Sequence, residues 1–239
     1  MSDYFVFNGI ASTDKNISLI DYNSIFLPAN NRSFISVPGQ DGSIPSGNDS
    51  KQDVIINCEV AITGDTEEEI KQNIERANLW LSKRGKLTFW DMLDRYYIGE
   101  VIGEIISFSK INWDNFTLQF RCSPIKYGST KTYDITNNPE IYNLGTYKTM
   151  GIIKIEITED VSFLEVRLTN TGEFIYLDHD FIVGDIIKID LEDEKAYKNG
   201  YSIMKDCYLE SDFFEIPVGE FRITVSSGKA TLEYVERWL

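Results

Sequence analysis

The run Thr66-Glu-Glu-Glu-Ile-Lys-Gln-Asn-Ile-Glu-Arg-Ala-Asn-Leu-Trp-Leu-Ser-Lys-Arg-Gly85 is the one clear helix signal in a chain that otherwise reads as strands. Thr66 followed by Glu69 is a capping-box pattern: the hydroxyl satisfies a free amide and the carboxylate reaches back to the cap. Glu67, Glu68 and Glu69 also meet the positive end of the helix dipole. Ile70, Ile74, Ala77 and Leu81 recur on one face. The pattern predicts a helix over 66–83, about 17 residues long, laid by one stripe on an apolar surface. Gly85 is expected to close it in the left-handed conformation.

Downstream, Lys86-Leu-Thr-Phe-Trp90 and Arg95-Tyr-Tyr-Ile-Gly-Glu-Val101 flank the polar turn Asp91-Met-Leu-Asp94, a hairpin expected to form an arm over 86–110. Phe116, Leu118, Phe120 and Cys122 then alternate along a strand that Pro124 stops. Upstream, Val54, Ile56, Cys58, Val60 and Ile62 form one apolar face, which suits a sheet covered on one side. The segment Val37-Pro-Gly-Gln-Asp-Gly-Ser-Ile-Pro-Ser-Gly47 is the richest in Pro, Gly and Ser and reads as an irregular loop.

The small polar run from Tyr127 to Tyr133 marks a boundary, giving a first domain over 1–128 and a second over 129–239. In the second, alternation recurs at Ile153/Ile155/Ile157, Leu164/Val166/Leu168, Ile187/Ile189/Leu191, Phe221/Ile223/Val225 and Leu232/Tyr234. Turn signals separate these runs, the reading of an antiparallel β-sandwich. The fold class is mainly β: a β-sandwich or barrel-like first domain with one helix and a hairpin arm, then a β-sandwich.

The 239 residues carry 23 Lys and Arg against 38 Asp and Glu, a net charge of −15, and both halves are acidic. That excludes a grip on the outside of nucleic acid, which needs a basic stripe. The three cysteines Cys58, Cys122 and Cys207 have no Cys-x-x-Cys spacing. They are expected to be reduced, with Cys58 and Cys122 buried. Met1-Ser-Asp-Tyr4 lacks the basic start of an export signal, and no run is long and apolar enough for a membrane helix. Synthesis in a reducing cytoplasm without membrane insertion is therefore expected.

No motif carries chemistry. His179, between Asp178 and Asp180, has no second histidine and reads as a solvated turn. Asp190-Leu-Glu-Asp-Glu194 lacks calcium-loop spacing, and Gly228-Lys229-Ala230 lacks the Ser or Thr of a phosphate loop. No catalytic, cofactor or metal site is expected, and no enzyme. The aromatics Phe89, Trp90, Tyr96, Tyr97, Phe108 and Trp113 cluster on or beside the arm. A hairpin is not stable alone, so Phe89, Trp90, Arg95, Tyr96 and Tyr97 are expected to anchor a subunit interface.

The order of motifs resembles the distal tail protein family of long-tailed bacteriophages. In the first half the likeness rests on Phe5-x-Phe-Asn-Gly9, Val37-Pro-Gly-Gln-Asp-Gly42, Leu79-Trp-Leu81, Leu87-x-Phe-x-Asp91, Tyr96-Tyr-x-Gly-Glu100 and Phe120-x-Cys-x-Pro124. In the second it rests on Asn143-Leu-Gly-Thr146, Tyr197-x-Asn-Gly200, Ser211-Asp-Phe213, Pro217-x-Gly219 and the ending Tyr234-Val-Glu-Arg-Trp-Leu239. Met150-Gly151 stands where the family has a proline, and Glu220 where it has Asn. The resemblance implies a virion protein at the distal end of a tail. Its first domain would close a homo-hexameric ring joining the tail tube protein to a tail-tip protein, with DNA passing through unbound. Its second would be a galectin-like sandwich that attaches receptor-binding proteins. The competing expectation is a carbohydrate-binding protein acting through that sandwich, where Trp238 is the one Trp.

Overall fold

In the computed structural model, residues 3–23, 27–103 and 116–239 are described, Asp49 by its backbone alone. The chain divides into two units, Met1–Lys126 together with Leu239, and Tyr127–Trp238.

The alternation at 54–62 becomes β6 (Val54–Ile62), whose even-numbered side chains are buried up to Val60. It pairs antiparallel with β3 (Ile17–Tyr22) and with β9 (Phe116–Cys122). On the far side of β9 lie β8 (Tyr97–Ile102), β7 (Gly85–Phe89), β1 (Phe5–Phe7) and β2 (Ile10–Ala11), completing a seven-stranded antiparallel sheet in the order β2-β1-β7-β8-β9-β6-β3. An antiparallel bridge between Asp3 and Leu19, with Leu19 N donating to Asp3 O at 3.1 Å, joins the β1 end of this sheet to β3. The sheet thus curls on itself, as a barrel does to remove its edges.

The helix α1 (Glu67–Leu81) buries Ile70, Ile74, Ala77 and Leu81 in the same core as Phe5, Phe7, Leu87 and Phe120. Asn73 joins that stripe although it is polar, because its side-chain amide donates to Thr63 O at 2.9 Å. Trp80 stacks on Phe5, with centroids 5.7 Å apart, and donates its indole N–H to Phe7 O at 3.0 Å. At the helix start, Thr66 Oγ1 accepts from Glu69 N at 3.2 Å, while Glu69 reaches one residue past the cap to Asp65 N at 2.9 Å. The expectation for Gly85 is corrected. It opens β7 rather than capping the helix, and a Cβ there would fall 1.7 Å from Asn8 Oδ1. Asn8 needs that space: at φ 52° it turns the chain after β1, and its Oδ1 accepts from Lys86 N at 3.1 Å.

Two further expectations change. The segment 86–102 is no free arm, since β7 and β8 are interior strands of the sheet, and 104–110 lie outside the described residues. The segment read as a loop contains a strand instead: β4 (Asn30–Ser36) pairs with β5 (Ser43–Lys51) across the turn 37–42. The ladder shifts register between Asn30 and Arg32. Beside that shift Gly47, at φ 115°, lies so close to Asn31 O that a Cβ would sit 2.6 Å away.

The second unit contains β10 (Lys126–Asp134), β11 (Ile141–Asn143), β12 (Gly151–Glu156), β13 (Leu164–Leu168), β14 (Phe174–Leu177), β15 (Ile186–Asp190), β16 (Lys195–Lys198), β17 (Tyr201–Ser202), β18 (Gly219–Phe221), β19 (Ile223–Val225) and β20 (Lys229–Trp238). A six-stranded sheet, β10-β20-β12-β15-β16-β17, packs against a three-stranded sheet, β14-β13-β19, and the pair β11-β18. The alternating residues read from the sequence fill the space between them: Ile153, Ile155, Ile187, Ile189 and Leu232 from one layer, Leu164, Val166, Leu168, Ile175 and Ile223 from the other. This is a two-layer sandwich held by apolar burial.

Candidate interaction surfaces

Period-two geometry decides where the five expected interface residues fall. Leu87 and Phe89 point inward from β7, and Tyr97, directly opposite Leu87, points inward from β8. Phe89 is fully buried and stacks on Tyr22 at 3.9 Å between centroids, while the Tyr22 hydroxyl donates to Asp91 at 2.8 Å. Burial, and after it the Asp91 carboxylate, push the Tyr22 hydroxyl above its usual range. Burial, with a smaller contribution from Cys122, pushes the Tyr97 hydroxyl up to about 12. Phe89 and Tyr97 therefore serve this subunit's own core, which corrects their assignment as interface anchors. Trp90, Arg95 and Tyr96 lie nearer the surface. Trp90 is 43% exposed and lines a cleft of about 270 Å³ with Asp3, Asp21 and Asp91. Arg95 Nε donates to Asp94 at 3.1 Å, and the Lys86 ammonium lies 4.2 Å from the Tyr96 ring centroid. Phe108 and Trp113 lie outside the described residues.

Residues 31–37 read as a short strand from the sequence, as β4 bears out, but its hairpin partner β5 falls in the segment read as a loop. Every residue of β4 is exposed, and among the described residues the two strands pair only with each other. Phe34, 69% exposed, pairs with Pro45, while Ile35, 54% exposed, pairs with Ile44 on the opposite face. Each face of the ribbon thus offers apolar surface to water. The signal available in advance was the apolar set Phe34, Ile35, Val37 and Ile44 flanking a Gly-rich turn, masked by the Ser and Asn between them.

The solvent side of the first sheet is polar around β3, β6 and β9. Asp21, Asn23, Asn57, Glu59, Thr117 and Gln119 line a second cleft, of about 460 Å³. Asn57 pairs with Gln119 across the strands and Glu59 with Thr117.

In the second unit, His179 is not a solvated turn. Its Nδ1 lies 2.8 Å from Asp206 Oδ2 and its Nε2 3.3 Å from the Lys198 ammonium. A carboxylate only accepts and an ammonium only donates, so Nδ1 carries the proton and Nε2 accepts. Trp238 is buried at the end of β20. An aromatic row stands elsewhere: Phe163 stacks with Tyr176 at 5.4 Å, and Tyr176 meets Tyr208 edge-on at 6.0 Å. Among the described residues, no group of three His, Cys, Asp or Glu side chains is placed to hold a metal ion.

Comparison with known proteins agrees with this geometry. Residues 13–122 match the family described as phage tail protein RIFT-related domain, and residues 144–238 match the siphovirus-type tail component, C-terminal domain. The distal tail protein of Bacillus phage SPP1 is 24% identical over 192 residues, covering 77% of this chain and 76% of that protein. The crystal structure of the SPP1 Dit (gp 19.1) protein, titled a paradigm of the hub adsorption apparatus in phages infecting Gram-positive bacteria, has the same fold. It gives a TM-score of 0.83 over 100% of both chains at 20% identity. With one tail-component match on each structural unit, the chain belongs to the siphovirus-type distal tail proteins and is a component of a phage virion's tail.

Proposed function

We propose that this distal tail protein forms a homo-hexameric ring that joins the tail tube to the tail tip and leaves a channel for DNA. The observation that carries the reading is the β4–β5 hairpin. A two-stranded ribbon with apolar residues on both faces is not stable by itself in water and calls for a surface outside its own fold. If that surface lies elsewhere on an identical chain, the contact is head-to-tail, and a head-to-tail contact that closes makes a ring. Trp90, Arg95 and Tyr96 are proposed as part of the receiving surface, since Trp, Tyr and Arg dominate interface energetics. The wall presented to DNA is proposed to be acidic or uncharged, as at Asn57, Glu59, Thr117 and Gln119. Such a wall lets phosphates pass without adhering. The second unit is proposed as an attachment point for tail-tip and receptor-binding proteins.

Electron microscopy of the purified protein and of tails carrying it tests the ring. Six-fold rings at the tube end are expected in tails, and Phe34→Asp should abolish them while the chain stays folded. Tail ends without six-fold symmetry would overturn the reading. A second reading, glycan binding by the second unit, is favoured by the row Phe163, Tyr176 and Tyr208, because aromatic faces can stack on sugar rings. A glycan array probed with the full chain separates the two: no binding removes the second reading and leaves the ring untouched.

A further inference from the structure

Two turns of the second unit, around 182–186 and 198–201, are locked side by side. Asp185, a buried carboxylate, accepts from the Ile182 amide at 2.9 Å and the Lys198 ammonium at 2.9 Å on one oxygen, and from the Asn199 side-chain amide at 2.8 Å on the other. Ile186 N donates to Asn199 Oδ1 at 2.9 Å, and Asn199 N returns a bond to Ile186 O at 2.8 Å. Val183 N is tied to Asp160 at 2.9 Å. Lys198 also donates to Asp180 O at 3.0 Å and to His179, which Asp206 holds from behind. The polar anchors all point into the knot. Outward stand four large apolar side chains: Ile182 and Val183, each 61% exposed, Ile186, and Tyr201, 80% exposed.

An apolar cluster in water, fixed on hydrogen-bonded turns, has the features of a prepared contact. It loses little conformational freedom on docking, and exposed apolar clusters mark interaction sites more often than they serve the fold. The surrounding charge identifies the kind of partner. Asp160 and Asp180 border the knot, with Glu159 next to Asp160 and Asp178 next to His179 in sequence, and the Lys198 charge is spent on Asp185. A second copy docking patch to patch would bring the same carboxylates together, from a chain whose net charge is −15. We propose that this knob seats a different virion protein, one that offers an apolar hollow rimmed by Lys and Arg. The proposal rests on the reading of the second unit as an attachment point and assigns that role to a defined surface.

The test uses intact virions in which a photo-crosslinking phenylalanine analogue replaces Tyr201, with the same probe at exposed Tyr142 as a reference position on the same unit. The expected result is a crosslink from position 201 to another tail protein, at a segment carrying Lys or Arg. In parallel, Val183→Asp with Tyr201→Asp should lower that protein's occupancy on purified tails roughly tenfold or more, with this chain retained. High salt should release the partner from wild-type tails, because the rim charges become screened. A crosslink from 201 to a sister copy, to a segment without basic residues, or to nothing while Tyr142 crosslinks to a tail protein overturns the knob assignment alone. No crosslink to another protein from either position overturns the attachment reading with it.

Discussion

Two hairpins of the first unit both carry large apolar side chains and meet opposite fates. β7–β8 places Leu87, Phe89 and Tyr97 inside, and its outer edges pair with β1 and β9. β4–β5 places Phe34 and Ile35 on opposite faces and pairs with nothing else described. The difference lies in periodicity. Alternate apolar residues give a strand one dry face, which a sheet can bury. Adjacent apolar residues such as Phe34-Ile35 give a ribbon two half-wet faces, which one sheet cannot absorb. The first pattern builds the subunit's core, and the second leaves apolar side chains in water.

The largest effect that separates the two hairpins is on stability. Phe89→Ala should cost about 3–5 kcal/mol, the range for a fully buried Phe. Phe34→Ala should change monomer stability by no more than about 0.5 kcal/mol, as for exposed positions. Chemical denaturation of the unassembled chain checks both, and equal losses would collapse the comparison. Next in size is the support of β7. Gly85→Ala pushes Asn8 aside and strips Lys86 N of its acceptor, a loss of about 1 kcal/mol. Added to Asn8→Gly, the same change should cost clearly less, because the obstructed side chain is already gone.

The smallest effect is chemical. Cys122 lies opposite Gly99 of β8, and its thiol is pushed up to about 12, by burial first and by Asp53 second, with Arg84 opposing. Burial pushes Cys58 up as well. A group whose pKa is raised by folding leaves stability intact below its unfolded value and erodes it as pH climbs toward the folded one. The sheet should therefore weaken from about pH 8.5, the ordinary thiol value, upward toward 12. At pH 7.5 a thiol reagent should modify half-exposed Cys207 well before the other two. Rapid labelling of Cys122 in the folded chain would mean that this side of the sheet opens.

Much of the fold could be read in the residues because burial imposes a period. Ile70, Ile74, Ala77 and Leu81 announce the helix, and each strand of the sandwich shows its inward side chains. What could not be read lies where tertiary pairing overrides local pattern. β7–β8 looks like an arm in isolation, and only β1 and β9 make it interior. Pro45 and the Ser and Asn residues around it argue against a strand, yet the ladder from Ser36–Ser43 to Asn30–Lys51 forms. Of the proposed contact surface, Trp90, Arg95 and Tyr96 stand out by residue type alone. The Asp185 knot does not, because its polar members are scattered from Asp160 to Asp206 and no motif spans them.

The register shift at the root of the β4–β5 ribbon bears on how the protein survives before a virion exists. Freshly made copies crowd together with unclaimed strand edges and greasy tips, the conditions under which strands stack without limit. A kink beside Gly47, a proline within β5 and cationic Arg32 and Lys51 near the root make those edges poor templates for one another. Such edges oppose the zipping of sister ribbons into fibres.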